Sequence, residues 1–90
     1  MASETLVPRY YFDFHDGDMV CDERGTECPD LNGVKRHTND LIAKLLGEVI
    51  RTRKDYLTCK VFVRDQTRQI IYMSTISYNG AWVNFGTQAP

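Results

Sequence analysis

The sequence predicts an α+β fold: a four-stranded antiparallel sheet, in the chain order ββαββ, with one long helix packed on one face. Three observations predict it. Aromatic and polar residues alternate over Arg9–His15, apolar residues recur at helical spacing over 31–53, and two later segments alternate over Tyr56–Arg64 and 69–78. A period of two indicates strands, and a period of 3.6 indicates a helix.

The first predicted strand has two faces of different polarity. Its inward face carries Tyr10, Phe12 and Phe14. Its outward face carries Tyr11, Asp13 and His15. We expect the aromatic face to be buried under the helix, as in an antiparallel sheet covered on one side. Asp16-Gly17 is a hairpin signal, so 19–21 should return as a short second strand, followed by a polar turn at 22–27.

The helix is predicted at 31–53. Asp30 should cap it, because a carboxylate can accept hydrogen bonds from the free amides of the first turn. The stripe facing the sheet consists of Leu31, Val34, Thr38, Leu41, Ile42, Leu45 and Val49. Gly33 and Gly47 each cost about 1 kcal/mol relative to alanine, so we expect the helix to depend on packing.

The two later strands differ in how clearly they define an inward face. In Tyr56–Arg64 the inward residues are Leu57, Cys59, Val61 and Val63. In 69–78 the alternation is ambiguous, and the core could receive either Ile71 and Met73 or the alternate set Ile70, Tyr72 and Ile76. Asn79-Gly80 signals a turn, after which Trp82 and Phe85 would anchor a short fifth strand or a segment that folds back.

Length and composition predict a single domain at 8–80, a flexible tail at 1–7 and an extension at 81–90 that ends in disorder. The net charge is −1, from 11 basic and 12 acidic residues, which argues against a purely electrostatic nucleic-acid binder. No segment resembles a signal peptide or a transmembrane helix. Three cysteines do not suit a closed disulfide framework, so we expect reduced thiols, a cytoplasmic location, no cofactor and no membrane association.

The acidic turn of the first hairpin allows two interpretations. Carboxylate and imidazole groups lie close together at Asp13, His15, Asp16 and Asp18, which could be metal ligands or acid–base catalysts. The alternative is a solvated turn beside a strand histidine. No nucleophile, phosphate-loop or paired-histidine motif accompanies these residues. We therefore favour the solvated turn, and expect neither a metal site nor enzymatic activity.

The outward face of the sheet is the predicted interaction surface, because exposed apolar side chains usually mark a contact site. Its candidate residues are Tyr11, Asp13, His15, Lys60, Phe62, Arg64 and either Tyr72 or Met73, with Tyr72 the one selected. A chain this short also gains core by association. We predict a small protein-interaction or regulatory module, homodimeric through this face or through the edge of the fourth strand.

A nucleic-acid-binding regulator is the alternative. Its contacts would be Arg51, Arg53 and Lys54 at the end of the helix, together with the aromatics of the outward face. Bases can stack on such aromatics. The RNA-recognition-motif consensus is lacking, so we favour contact with another protein.

The chain resembles a family of small bacterial proteins that are abundant in rhizobium-like soil bacteria and carry a domain of unknown function. The resemblance rests on PRYYFDFHDG at 8–17, DERGTE at 22–27, PDL at 29–31 and VFVRD at 61–65. That family opens with the motif Pro-Arg-Tyr-Tyr-Phe-Asp-x-His-Asp-Gly. The chain departs from it at Asn32 and Gly33, where acidic and alanine residues are usual, and near Thr67, where a glycine is usual. The resemblance implies a bacterial, cytoplasmic, single-domain protein and no known activity.

Overall fold

A computed structural model describes residues 7–83 and confirms the α+β fold, with a single helix on an antiparallel sheet. The elements are β1 (Arg9–His15), β2 (Met19–Val20), β3 (Thr26–Glu27), α1 (Leu31–Arg51), β4 (Tyr56–Arg64) and β5 (Ile70–Asn79). The sheet order is β2-β1-β4-β5, and β3 also pairs with β1. All pairings are antiparallel, and β1 and β4 form the centre of the sheet.

The segment at 22–27 is not only the polar turn that we predicted, because its last two residues form β3. Three hydrogen bonds explain this. The amide of Cys28 donates to the carbonyl of Pro8 at 3.0 Å, next to the pair Arg9–Glu27. The guanidinium of Arg9 donates to the carbonyls of Arg24 and Gly25, so the chain after the turn is held against the start of β1.

The helix begins at the predicted residue but ends earlier. Asp30 caps it, with its carboxylate accepting from the amide of Gly33 at 2.7 Å. It ends at Arg51 rather than at residue 53, because Arg53 has a φ of 61°. That left-handed conformation cannot continue an α-helix.

The core lies between α1 and the inward face of the sheet. Its buried apolar residues are Phe12, Cys28, Val34, Val49, Leu57, Cys59, Val61 and Val63. The four predicted inward residues of β4 are all among them, and α1 packs chiefly on this strand. Thr38 is fully buried, and its hydroxyl is hydrogen-bonded, because Oγ1 donates to the carbonyl of Val34 at 2.9 Å. Leu31 does not join this stripe and is 66% exposed.

The pairing of β4 with β5 resolves the ambiguous alternation and corrects one predicted surface residue. Tyr72 is opposite the buried Val63, so its side chain is on the inward face and packs against the core. Met73 is opposite Phe62 on the outward face. The register shifts between Val63 and Arg64, which leaves Ile71 as the extra residue of a bulge. Assigning Tyr72 to the outward face was therefore wrong.

The ends of the chain lie largely outside the described residues. The predicted N-terminal tail at 1–7 lies there except for its last residue, and so does Phe85. The segment 81–83 forms no strand, and Trp82 is fully exposed, so the predicted anchoring contact of Trp82 does not occur among residues 7–83. The limits of the domain stay a prediction.

Two substitutions on the same helix test the placement of the core. Val34→Ala should lower the free energy of unfolding by about 1–2 kcal/mol, because a side chain that is 1% exposed loses two methyl groups from the core. Leu31→Ala, at an exposed position, should change it by less than about 0.5 kcal/mol. Urea denaturation followed by circular dichroism gives both values. Equal effects would contradict this packing.

Candidate protein-interaction surface

The face of the sheet opposite α1, called here the outer face, includes three rows of residues that run across β1, β4 and β5. They are Tyr11–Arg64–Ile70, Asp13–Phe62–Met73 and His15–Lys60–Thr75. Directly opposed residues share a face, because side chains alternate along each strand. Six of the seven predicted surface residues therefore belong to this face, and Tyr72 does not.

The apolar part of the outer face lies towards β5. Met73 is 53% exposed and Ile70 is 60% exposed, while Phe62 on the neighbouring strand is half-buried. Phe62 and Met73 are directly opposed, which brings their side chains into contact range. Lys60 is exposed at the end of the face that also holds His15. The result is an apolar strip of Phe62, Ile70 and Met73 beside the β5 edge, with the ammonium group of Lys60 at one end.

The opposite part of the outer face is closed by an ion pair. Arg64 donates from Nε to Asp13 Oδ2 at 2.6 Å and from Nη2 to Asp13 Oδ1 at 3.1 Å. The same Nη2 donates to the carbonyl of Asp22 at 3.1 Å. Asp13 is only 5% exposed. The guanidinium of Arg64 also lies 5.1 Å from the centre of the Tyr11 ring. The side chains of Arg64, Asp13 and Tyr11 therefore interact mainly with one another.

Asp22 completes this cluster, and its role was missed at the level of sequence. Its carboxylate accepts from the amides of Phe12, Arg24 and Gly25 at 3.0–3.1 Å, and its own amide donates to Asp13 at 2.9 Å. Burial raises the pKa of this carboxyl, but the three amide bonds and the charge of Arg64 outweigh burial and lower it below the ordinary aspartate value.

A glycine three residues after Asp22 was the available signal. Gly25 has a φ of 73°, which other residues rarely adopt. A Cβ at this position would lie 2.8 Å from Arg9 Cγ and 2.9 Å from Tyr11 Cε2. The turn that contains Gly25 therefore packs closely against β1. This close packing brings the carboxylate of Asp22 to the amide of Phe12.

The four residues of the possible metal site are not brought together. Asp13 is bound to Arg64, and His15 lies one row away on the outer face. Asp16 and Asp18 are exposed in the turn around Gly17. Within residues 7–83, no three His, Cys, Asp or Glu side chains are grouped so that they could hold a metal ion.

The remaining candidates are separate from the cluster. Arg51, Arg53 and Lys54 are all exposed at the end of α1. Cys28 and Cys59 are buried, and burial raises the pKa of both thiols. Cys21 is exposed, and none of the three forms a disulfide.

The free edge of β5 borders the apolar strip. The amide of Gly80 donates to the carbonyl of Asp55, which makes Asn79 and Tyr56 a pair without mutual hydrogen bonds. The antiparallel pattern then alternates along β5. Tyr72, Ser74, Ile76 and Tyr78 bond to β4, whereas the main-chain groups of Met73, Thr75, Ser77 and Asn79 point to the opposite edge. No strand within 7–83 pairs with that edge.

Comparison with protein families matches residues 9–77 to a family of domains of unknown function, DUF6894. The chain belongs to the DUF6894 family. The match starts at the first residue of β1 and ends two residues before the end of β5, so it includes every element of the sheet and α1. No curated protein and no solved structure matches the chain. Among the described residues, no helix has both the length and the apolar content needed to cross a membrane.

Replacement of Asp22 tests the closing cluster. Asp22→Asn should lower the free energy of unfolding at pH 7 by about 2 kcal/mol, because an amide has one acceptor oxygen and brings an NH₂ group among three donors. The control is Glu23→Gln, which changes the same charge at an exposed neighbour and should have an effect below about 0.5 kcal/mol.

The pH dependence of this difference has a defined sign. The folded-state pKa of Asp22 lies below the unfolded value of about 3.9, so its contribution is complete above that unfolded value and is lost as the pH falls through the folded-state pKa. Urea titrations at several pH values should therefore show that the difference in free energy of unfolding between wild type and Asp22→Asn becomes smaller below about pH 4. A gap that widens on acidification would refute this role.

Proposed function

We propose that this DUF6894 protein is a small non-enzymatic interaction module that acts as a homodimer through the outer face and the adjoining edge of β5. The supporting observation is the composition of that edge. β5 is ten residues long and contains neither a charged residue nor a proline. Natural edge strands usually carry such residues to prevent pairing with other chains.

The opposite side of the sheet shows the contrast. There the edge consists of β2 and β3, which have two residues each and are separated by the turn that holds Asp22. Acidic residues flank these strands at Asp18 and Glu23, and a third, Glu27, lies within β3. A short, interrupted and acidic edge is a poor template for strand pairing. The edge formed by β2 and β3 is thus protected against pairing with another chain. At the β5 edge, the only feature that would hinder such pairing is the bulge at the beginning of the strand.

The proposal of a non-catalytic role rests on Asp13, one of the acids that a catalytic interpretation would use, and on the neighbouring Asp22. Asp13 forms an ion pair with Arg64, and the carboxylate of Asp22 accepts hydrogen bonds from three main-chain amides. A group saturated in this way is poorly placed to exchange protons with a substrate. Asp13 and Asp22 stabilise the fold instead.

The same proposal includes a bacterial, cytoplasmic setting. The three unpaired thiols support it, since disulfides are rare where thiols are kept reduced. The resemblance of the opening motif to proteins of rhizobium-like bacteria supports the bacterial origin.

Nucleic-acid binding is the second candidate. It is supported by Arg51, Arg53 and Lys54, which are exposed and make no ion pair within the described residues. The net charge of −1 and the ion-paired Arg64 weigh against it. Protein contact therefore remains the favoured function.

Sedimentation tests the homodimer. The wild-type protein should sediment as a dimer at micromolar concentration, and Met73→Asp should shift it towards monomer, because a carboxylate would enter the apolar strip beside β5. Leu31→Asp is the matched control, since Leu31 is equally apolar and also exposed but lies on α1. A wild-type monomer, or a dimer that both substitutions leave intact, would count against this surface.

A titration tests the alternative. Fluorescent single- and double-stranded oligonucleotides at low salt should show no saturable binding to the wild-type protein. Specific binding that Arg51→Glu with Arg53→Glu abolishes would favour the alternative instead. Lys35→Glu with Arg36→Glu is the control, because it reverses the same charge at two exposed positions elsewhere on the helix.

A further inference from the structure

The outer face of the sheet contains a recess beyond the end of β1. β4 is nine residues long, but β1 pairs only with its last five residues, 60–64, because β1 ends at His15 and the chain then turns towards β2. Within 7–83, no strand lies beside 56–59 on that side. The recess, called here the β4 recess, has a volume of about 380 Å³ and is lined by His15, Asp16, Gly17, Tyr56, Thr58 and Lys60.

We propose that the β4 recess binds a small aromatic carboxylate. The proposal goes beyond the homodimer and does not depend on it, since the recess lies between β4 and the first hairpin, whereas the dimer contact is assigned to β5. The supporting observations are the hydrogen-bond donors that meet in the recess, its charge, and the space beside an exposed tyrosine.

The main chain of β4 supplies one donor. Main-chain groups of successive residues point alternately to the two sides of an antiparallel strand. The odd-numbered residues of β4 bond to β5, so Thr58 points to the side of β1. Extending the register of β1 and β4 would oppose Thr58 to Gly17, but no main-chain hydrogen bond joins these two described residues. The chain has already turned there, with the amide of Asp16 donating to the carbonyl of Asp18. The amide of Thr58 is therefore free to donate to a ligand.

The side chains add further donors. His15 and Lys60 are directly opposed, so both side chains lie on the outer face. An ammonium group carries three N–H donors and no acceptor, and an imidazole has at least one N–H donor in either charge state. Neither residue forms an ion pair among the described residues. The hydroxyls of Tyr56 and Thr58 complete the lining. Donors therefore outnumber acceptors in the β4 recess, which favours an anion.

The charge of the lining favours an anion with a single negative charge. Lys60 contributes a full positive charge, and Asp16 contributes a negative one at the hairpin side of the recess. The charge of Asp16 would repel a second negative charge on the ligand. A carboxylate therefore suits the recess better than the dianion of a phosphate monoester. Its two oxygens have about four lone-pair sites, enough to accept from Lys60, His15 and the amide of Thr58.

The remaining space suits a flat ring. Tyr56 is 72% exposed, so one side of its ring is open to a ligand. Gly17 has a φ of 106° and no side chain to fill the recess, and a Cβ there would have no atom within 4 Å. Aromatic rings stack on one another, and the aliphatic stem of Lys60 offers a second apolar surface. A ring attached to the carboxylate would therefore lie against Tyr56.

A titration followed by nuclear magnetic resonance tests the β4 recess. Benzoate is added to the ¹⁵N-labelled full chain at constant pH and ionic strength. The main-chain amide signals of Thr58 and Lys60 should move along a saturable curve. Benzamide, which has the same ring without the charge, should cause no saturable shift. Inorganic phosphate is the third probe and should bind more weakly than benzoate.

Substitutions assign the binding to the recess. Lys60→Gln should weaken the affinity for benzoate by about tenfold, because it removes a charged hydrogen bond. Lys44→Gln is the control at an exposed position of α1 and should leave the affinity unchanged. Asp16→Asn should increase the affinity about two- to fivefold, because it removes a repelling charge. Asp18→Asn, an exposed acid of the same turn that does not line the recess, should have a smaller effect.

Three results would overturn the proposal. They are the absence of a saturable shift with benzoate, an equal affinity in Lys60→Gln and wild type, and a phosphate affinity above that of benzoate. An unchanged affinity in Asp16→Asn would overturn the selection for a single charge. Sedimentation of the same samples reports the homodimer separately. A dimer without benzoate binding would remove only the recess, and a monomer that binds benzoate would remove only the homodimer.

Discussion

The hydrogen bond from the amide of Phe12 to the carboxylate of Asp22 is the contact on which the arrangement of the sheet depends. Phe12 is a core residue of a central strand, and its amide points to the side where β2 and β3 leave a gap. An unpaired amide there would be costly. Asp22 replaces the missing strand, and Arg64 and Asp13 fix the turn that carries it.

This solution gives the two edges of the sheet different properties. A side chain that substitutes for strand pairing leaves nothing on which another chain can extend the sheet. The edge next to β1 is therefore closed by the same contacts that stabilise the fold. At the other edge, β5 continues for ten residues with free main-chain groups and no charge. The asymmetry between the two edges is the main reason for assigning the interaction surface to β5.

Periodicity predicted the fold class, the limits of β4 and its buried face. Each of these depends on how apolar residues are spaced along an element that has one buried face, and that spacing is visible in the local sequence. Three features depend on contacts between distant segments and were not predictable in this way. β3 forms because Arg9 and Pro8 hold the chain after Gly25. Asp13 resembled a solvated acid, since nothing nearby in sequence announces Arg64. Tyr72 was misassigned because both faces of β5 are apolar and a bulge shifts the pairing.

The ambiguity of β5 has a physical meaning of its own. In a strand at a solvated edge with one covered face, apolar inward residues should alternate clearly with polar outward ones. The inward residues of β4 follow such a pattern. β5 does not, because its outward side carries Ile70 and Met73, both more than half exposed. In a continuous sheet formed by two copies, β5 would be a central strand, with neighbours on both sides. Apolar residues on both faces are ordinary for a strand in that position, and the sequence of β5 is then consistent with its surroundings.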